Sequence, residues 1–214
     1  GLLARPTVAE IYAYRAYVDE AMAALLNPLE TYSPEEQTTL LDLLELGLHH
    51  EQQHQELLLT DIKHIFGTNP LLPIYQAQNN QAQEMLRVED SPALEWHTYS
   101  PGLYDIGHTG EGFAFDNESP RHRTYLAGFA LANRLVTCGE YLEFMQAGGY
   151  LDPVYWLSEG WQRIQTQGWR APLYWHDRQG EWWIHTLHDF RPLNLAEPVC
   201  HVSYFEADAY ATWA

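Results

Sequence analysis

Apolar side chains recur at three- and four-residue intervals over two long stretches near the start of the chain, residues 8–26 and 34–66. This spacing places the apolar positions of each stretch on one face and predicts two α-helices. A capping box precedes each of them, TVAE beginning at Thr7 and SPEE beginning at Ser33. Gly67, followed by Asn-Pro, ends the second helix. The sequence therefore opens with a helical hairpin, and we expect further helices to be needed to cover its apolar faces.

The second predicted helix carries His50 and His54 on the same face as several leucines, so we expect both imidazoles to face inward. Residues four apart on a helix lie about 5–6 Å apart at Cβ, which lets both rings bind one metal ion. Imidazole suits iron, zinc, copper and nickel, so this spacing does not choose the metal. A purely structural role for the pair is equally compatible with the spacing. His49 and His64 are expected to be solvated or locally hydrogen-bonded.

The character of the sequence changes near residue 90, after a segment rich in Gln and Asn. Glycine and tryptophan become frequent and the long helical periods disappear. We predict a boundary there, between a helical domain at residues 1–90 and a second domain at residues 91–214. The fold class is then α+β.

The second domain is predicted to combine short strands, two helices and a loop-rich, tryptophan-rich region. Strands are expected over Tyr99–Ile106 and Thr124–Leu131, with a polar connection between them. Capping boxes at Thr137 and Ser203 predict one helix each. The six tryptophans between residues 150 and 199 are expected to form a core rather than a ligand-binding surface, since buried aromatic side chains contribute large apolar areas.

The formal charge of −18 argues against nucleic acid or an anionic membrane surface as a partner, because polyanions would be repelled. Two cysteines, Cys138 and Cys200, do not form a disulfide framework, and we expect both to serve packing. The sequence contains neither a recognisable signal peptide nor an apolar run long enough to span a bilayer. A cytoplasmic protein is predicted.

Five motifs in a fixed order, spread over most of the chain, carry a family resemblance. The sequence resembles the ergothioneine-biosynthesis sulfoxide synthases, a family of iron-dependent hercynine oxygenases. The motifs are HHEQQHQELLLTDIKH, FAFDNESPRHRTYL, VTCGEYLEFMQAGGY, GWRAPLYW and PVCHVSYFEADAYATWA. The helical motif alone also occurs in DinB-like bundles, and the later motifs occur in formylglycine-generating-enzyme-like domains. Their combination points to the two-domain synthase.

The resemblance implies a DinB-like four-helix bundle followed by a formylglycine-generating-enzyme-like domain, with non-haem Fe²⁺ held by three histidines. His50 and His54 correspond to two of these ligands, and Gln53 to a position that contacts the imidazole-bearing substrate. Arg5 is a candidate for binding the carboxylates of the thiol substrate, although a solvated arginine at a helix entry fits equally well. His122 and His201 lie in family-like motifs and are expected to be structural hydrogen-bonding residues.

The reaction implied by the resemblance joins a thiol, cysteine or γ-glutamylcysteine, to the imidazole of trimethylhistidine (hercynine) with O₂. In the family, the third ligand comes from an earlier helix and a catalytic tyrosine from sequence beyond Ala214. The chain is therefore expected to be truncated at both ends, to bind iron weakly by itself and to be inactive in isolation. Either the remainder of the same polypeptide or another chain is expected to supply the missing parts.

Two other readings remain open. The segment from His50 to His54 also matches the HExxH pattern of zinc hydrolases, in which Glu51 would be the general base for a zinc-bound water. Alternatively, a catalytically inactive member could bind a small molecule or a protein partner. A synthase needs ferrous iron and O₂, whereas a zinc hydrolase would lose activity in Glu51→Gln.

Overall fold

The computed structural model describes residues 5–77 and 92–214. The chain divides into two compact units. The first, here called the helical unit, comprises Gly1–Glu56 and Glu111–Phe115; the second, the mixed unit, comprises Leu57–Gly110 and Asp116–Ala214. The domain boundary predicted between residues 90 and 91 lies outside the described residues.

Two helices, α1 (Val8–Leu26) and α2 (Pro34–Thr68), confirm the two predicted helical stretches. At the start of α1 the Thr7 hydroxyl accepts a hydrogen bond from the Glu10 amide, and the Glu10 carboxylate accepts one from the Thr7 amide. The Ser33 box at the start of α2 closes in the same way. Local hydrogen bonding thus sets where both helices begin.

The inward orientation predicted for the α2 histidines depends on helices other than α1 and α2, and it stays a prediction. None of the described residues of α1 and α2 is buried, and both His50 and His54 are exposed. Large apolar side chains of α2 are exposed as well, with Leu43 at 61% and Leu48 at 57%. Two helices cannot cover both of their apolar faces with each other, so this exposure agrees with the expectation that further helices are needed. The four-helix DinB-like bundle stays a prediction.

Among the described residues, the mixed unit contains three small antiparallel sheets. The first sheet pairs β1 (Trp96–Tyr99) with β4 (Phe129–Ala132). The second pairs β2 (Gly102–Ile106) with β3 (His122–Leu126). In the third, β6 (Glu181–His185) lies between β5 (Trp175–Arg178) and β7 (Phe190–Pro192). The two predicted strands are therefore confirmed, but each is divided in two. Pro101 interrupts the first and the Ala-Gly pair before Phe129 interrupts the second.

Helices α3 (Cys138–Gln146), α4 (Ser158–Gln167) and α5 (Tyr204–Trp213) complete the mixed unit. The capping boxes at Thr137 and Ser203 form as predicted and open α3 and α5.

The stretch between residues 150 and 199 is more regular than predicted, since it contains α4 and the β5–β7 sheet. Helix α4 begins after Leu157, which provides no side-chain cap, so the signal that revealed the other helices is missing. Gly160 lies in its first turn, where an added Cβ would approach the Phe205 Cβ to 2.7 Å. The local sequence favours a helix only weakly at α4, and close packing stabilises the helix.

The core of the mixed unit is aromatic. Phe144 and Tyr141 of α3 are 0% and 1% exposed, and the Tyr150 hydroxyl donates a 2.6 Å hydrogen bond to the buried Glu206 carboxylate. The members of this core are Cys138, Tyr141, Phe144, Tyr150, Trp156, Ile164, Trp175, Ile184 and Ala209. Trp161, Trp169, Trp182 and Trp213 pack against it. The predicted packing role of the tryptophans is thereby confirmed for these residues. Within the described part of the chain, no helix has the length and apolar character needed to cross a bilayer.

Candidate metal site

The candidate metal site is the histidine pair on α2. His54 Nε2 lies 3.3 Å from His50 Nε2, and the two rings are nearly perpendicular, at 85°, with centroids 4.6 Å apart. Residues four apart on a helix are neighbours on its surface, so the helix itself brings the two imidazoles together. The pairing therefore needs no contact with a residue distant in sequence.

The distance between the two nitrogens is suited to a shared metal ion. Metal–imidazole bonds are about 2.0–2.1 Å long, so two nitrogens bound to one ion at about 90–110° lie about 2.9–3.4 Å apart. The observed 3.3 Å separation falls in this range. Both side chains are exposed, which leaves room for an ion and its other ligands. His50 and His54 thus fit as two adjacent ligands.

Over residues 5–77 and 92–214, no cluster of three or more His, Cys, Asp or Glu side chains is placed to hold a metal ion. The described residues therefore offer two protein ligands at this position. Two imidazoles leave most positions around an octahedral ion for further ligands, water or substrate.

The other predicted site residues are less closely associated with the pair. Gln53 lies three residues after His50 on α2 and is exposed. Arg5 is exposed and precedes α1, and among the described residues no hydrogen bond or ion pair joins it to His50, Gln53 or His54. Both substrate-binding assignments stay predictions.

Glu51 is engaged with the neighbouring helix. Its Oε1 atom lies 3.3 Å from Nη1 of Arg15 on α1, and Arg15 also pairs with Asp19 one turn further along, at 2.9 Å. The side chains of Arg15 and Glu51 are both more than half exposed, so the pair adds little stability. In the structure the Glu51 carboxylate contacts α1, and no observation shows it in contact with a metal-bound water.

Two other histidines of α2 make contacts that the sequence did not predict. His49 stacks on Phe113 with ring centroids 4.0 Å apart, and Phe113 in turn meets Phe115 edge-on at 4.9 Å. His64 Nδ1 lies 3.1 Å from the Tyr174 hydroxyl. Neither histidine is simply solvated or locally hydrogen-bonded as expected. In the sequence, the closely spaced aromatic residues Phe113 and Phe115 of the FAF segment were the feature from which a contact with His49 could have been predicted.

The remaining histidine and cysteine predictions are tested individually. His122 Nδ1 contacts the Pro120 carbonyl at 3.0 Å, and His201 Nε2 contacts the Lys63 ammonium at 2.6 Å, so both form hydrogen bonds as predicted. Cys138 is buried in the core, where burial chiefly raises the pKa of its thiol to about 12. Cys200 is exposed, so a packing role in the core is wrong for it. Both cysteines are free.

The family model of the sulfatase-modifying factor enzyme 1-like domain matches residues 80–214. The chain belongs to this family. The α+β class and the formylglycine-generating-enzyme-like second domain agree with the membership, since three small sheets and three helices lie within the matched range among the described residues.

The chain is also similar to individual proteins whose names refer to hercynine oxygenation or to ergothioneine biosynthesis. The chain is 30% identical over 200 residues to the hercynine oxygenase of Mycobacterium tuberculosis and 30% identical over 204 residues to that of Mycolicibacterium smegmatis. Each alignment covers 94% of this chain and 44% of the relative, so the chain spans less than half of their length. Ergothioneine biosynthesis protein 1 of Schizosaccharomyces pombe is 30% identical over 102 residues, 47% of this chain and 11% of that protein. These matches confirm the resemblance to the ergothioneine-biosynthesis family.

Proposed function

We propose that this chain forms part of an iron- and O₂-dependent sulfoxide synthase of ergothioneine biosynthesis. The reaction would join the sulfur of cysteine or γ-glutamylcysteine to the imidazole of hercynine. The observation that carries the proposal is the His50–His54 pair, whose Nε2 atoms are 3.3 Å apart in a chain whose relatives are named hercynine oxygenases. A cytoplasmic location and a DinB-like bundle belong to the same proposal.

In this proposal His50 and His54 hold the ion from one side through their Nε2 lone pairs. When bound, ferrous iron supplies the redox chemistry that a thiol and O₂ need to react with each other. The helix fixes the backbone positions of His50 and His54 in adjacent turns, so both can reach one ion without a backbone rearrangement. The third histidine that the resemblance implies would come from a longer polypeptide that contains this chain.

Gln53 and Arg5 would bind the organic substrates. The Gln53 amide both donates and accepts hydrogen bonds, so it can contact an imidazole at its N–H or at its lone pair. Arg5 presents a guanidinium that pairs well with a carboxylate in a bidentate arrangement. Both side chains are exposed, and therefore accessible to a substrate.

The zinc hydrolase reading is weakened by the contact between Glu51 and Arg15. A general base must lie within hydrogen-bond reach of the metal-bound water, whereas the Glu51 carboxylate is directed to α1. The inactive binding module stays an alternative for the chain in isolation.

The test is an activity assay of the full-length gene product that contains this sequence. The protein is loaded with ferrous iron, supplied with hercynine, O₂ and either thiol, and its products are measured by mass spectrometry. We expect a sulfoxide-linked adduct that is lost in His50→Ala and in His54→Ala. Glu51→Gln, the matched control between the two histidines, should keep the activity, whereas a zinc hydrolase would lose it. No adduct from a folded, iron-loaded protein would refute the proposal.

A further inference from the structure

Tyr150 lies in the aromatic core of the mixed unit, where its phenol contacts a buried carboxylate. The residue is 6% exposed, and its hydroxyl donates a 2.6 Å hydrogen bond to Oε1 of Glu206, which is 4% exposed. Lengths of about 2.5–2.7 Å are typical of a hydroxyl that donates to an ionised carboxylate rather than to a neutral oxygen. The pair therefore joins a phenol to a proton acceptor that is shielded from bulk water.

A second phenol completes this hydrogen-bonded chain. The hydroxyl oxygens of Tyr141 and Tyr150 are 3.1 Å apart. Tyr150 has one O–H and donates it to Glu206, so Tyr141 is the donor to Tyr150. Oε2 of Glu206 accepts from the Ser203 amide at 2.7 Å, which holds the carboxylate in place as part of the α5 capping box. Hydrogen bonds thus run in one direction, from Tyr141 through Tyr150 to Glu206.

The phenol of Tyr150 keeps its proton as long as it keeps its electrons. Burial, and then the electrostatic effects of Tyr141 and Glu206, raise the pKa of Tyr150. Loss of the proton alone would place a phenolate beside a carboxylate in the core, which is costly. Loss of an electron has the opposite consequence, because an oxidised phenol is a strong acid and passes its proton to a base within hydrogen-bond reach. The geometry therefore favours removal of an electron and a proton together.

Aromatic rings connect this pair with the surface of the mixed unit. The Tyr141 ring stacks on Tyr210, with centroids 5.5 Å apart and the planes at 22°, and the Tyr210 ring lies 5.9 Å from that of Trp213. Both Tyr210 and Trp213 are partly exposed. Electrons transfer efficiently between tyrosine and tryptophan side chains at such separations. An oxidant at the surface can therefore withdraw an electron from Tyr150 without entering the core.

The proton acceptor lies beside a cavity. Glu206 forms part of the wall of a cavity of about 460 Å³, together with the polar residues Gln167, His201 and Ser203. This volume has room for several water molecules, and polar walls give water its hydrogen-bond partners. Water in the cavity can carry a proton between Glu206 and the solvent. The same residue thus contacts the phenol on one side and the cavity on the other.

We propose that Tyr150 is a redox-active tyrosine with Glu206 as its proton acceptor. A one-electron oxidant at the surface removes one electron from Tyr150, through Tyr210 and Tyr141, and is itself reduced. The phenolic O–H bond breaks, a new O–H bond forms at Oε1 of Glu206, and a neutral tyrosyl radical remains. One-electron reduction of the radical returns the proton to the phenol.

The consequence is a reversible site for an oxidising equivalent, which would otherwise attack other side chains of the mixed unit. Radical oxidants of this class arise wherever O₂ is reduced in single-electron steps. The oxidation of Tyr150 itself uses neither the histidine pair on α2 nor a metal ion, so it is testable independently of the proposed function.

Photochemical oxidation followed by EPR spectroscopy tests the proposal. The full-length gene product that contains this sequence, prepared without iron, is oxidised by photogenerated tris(bipyridine)ruthenium(III), with a cobalt(III) ammine as the electron acceptor. Exposed tyrosyl radicals decay by coupling to one another, whereas a buried radical persists. We expect a persistent tyrosyl signal that narrows when ring-deuterated tyrosine is incorporated. If no tyrosyl signal outlasts those of the exposed residues, the proposal is wrong.

Two matched variants assign the radical. Tyr150→Phe removes the hydroxyl but keeps the ring in the core, and it should abolish the persistent signal. Tyr155→Phe makes the same change at a partly buried tyrosine that packs against the same core, and it should keep the signal. Near-UV circular dichroism verifies that both variants are folded. A persistent signal that survives in Tyr150→Phe would place the radical elsewhere and contradict the assignment.

The role of Glu206 is tested by the rate of radical formation. Glu206→Gln should slow it by about 100-fold, the lower end of the effect of a positioned proton acceptor, because an amide is not a base. Since this variant alters a buried capping residue, a second measurement uses the unmodified protein. Radical formation should be slower after equilibration in D₂O than in H₂O, because the phenolic O–H bond breaks in the same step. Equal rates in the two solvents would exclude Glu206 as the proton acceptor.

Discussion

A four-residue capping box begins α1 in the helical unit and α3 in the mixed unit, but the two helices differ in how far they are buried. In α1 the Thr7–Glu10 box is closed, yet none of the described residues of that helix is buried. In α3 the Thr137–Glu140 box is also closed, and Cys138, Tyr141 and Phe144 of the helix are buried. The same local sequence signal therefore starts a helix whether or not that helix enters a core.

The carboxylates of the two boxes show the difference in electrostatic terms. The Glu10 carboxylate accepts hydrogen bonds from the backbone and side chain of Thr7, which lower its pKa. Glu140 accepts the equivalent bonds and, in addition, pairs with Arg134 at 2.7 Å. The hydrogen bonds from Arg134 are the largest cause that lowers the pKa of Glu140 to about 2. The contact with Arg134, which lies outside the capping box, is therefore what distinguishes the ion-paired cap of α3 from the surface cap of α1.

The largest expected effect tests whether stability resides in the aromatic core. Phe144→Ala removes a fully buried ring and should lower the free energy of unfolding by about 3–5 kcal/mol. Leu48→Ala in α2, where the side chain is 57% exposed, should change it by less than about 0.5 kcal/mol. Urea unfolding followed by far-UV circular dichroism, which reports on the helices of both units, measures both. Equal losses in the two variants would show that the apolar surface of α2 is covered in solution.

The next largest effect concerns the two candidate metal ligands, His50 and His54, which lie on a helix with no buried residue among those described. His54→Ala should weaken the binding of Fe²⁺ or Co²⁺ by about 100-fold or more, since losing a residue that merely orients a ligand already costs about 10–100-fold. His49→Gln, the matched control next to His50, should leave the affinity within about threefold. Isothermal titration under anaerobic conditions measures both. Similar affinities for both variants and the unmodified chain would place the metal elsewhere.

A smaller effect follows from the ion pair at the start of α3. Glu140→Gln should lower the free energy of unfolding by about 2 kcal/mol at pH 7, because it removes the negative charge that Arg134 and the cap amide contact. The folded-state pKa lies below the ordinary 4.5, so this stabilisation is present above pH 4.5 and is lost as pH falls toward 2. Unfolding measured between pH 7 and 2.5 should show a shallower acid loss in the variant. An unchanged profile would contradict the assignment.

The smallest effect concerns His201. Its folded-state pKa of about 4 lies below the ordinary 6.5, so the unfolded chain binds a proton first and stability falls as pH drops from 6.5 to 4. We expect a loss of about 1 kcal/mol over this range, after allowance for solvent screening. His201→Asn should remove that part of the loss, and Asn tolerates the left-handed backbone better than His. If the free energy of unfolding had the same pH dependence in the unmodified chain and in His201→Asn, His201 would not take up a proton on unfolding, and the prediction would be wrong.

The helices were predicted most accurately where a capping box marked their start. Four boxes, at Thr7, Ser33, Thr137 and Ser203, each precede a helix at the next residue. Helix α4 lacks a side-chain cap. The β5–β6 hairpin turns at Gln179 and Gly180, both with positive φ, rather than at the Asn-Gly or Asp-Gly pair that marks such turns most clearly. Their formation depends on contacts such as the one between Gly160 and Phe205, which no local window contains.

The candidate metal site was predictable because both histidines lie within one helix turn. Four residues of spacing define the relative position of His50 and His54, and the structure places their Nε2 atoms 3.3 Å apart. The environment of Lys63 was not predictable in this way, since 138 residues separate it from His201. Nothing in a local pattern indicates which distant imidazole a lysine will meet.

The sequence by itself determined where the capped helices begin, which two imidazoles share a helix turn, and which family the motifs resemble. The first two features depend on hydrogen bonds and spacings within about one helical turn, and the resemblance depends on the motifs and their order alone, so none of the three requires the tertiary structure. Only the tertiary structure decided that His50 and His54 are exposed, that Phe144 is buried, and that Lys63 meets His201. Burial and charge pairing depend on residues that are far apart in sequence, and for that reason the tertiary fold decides them.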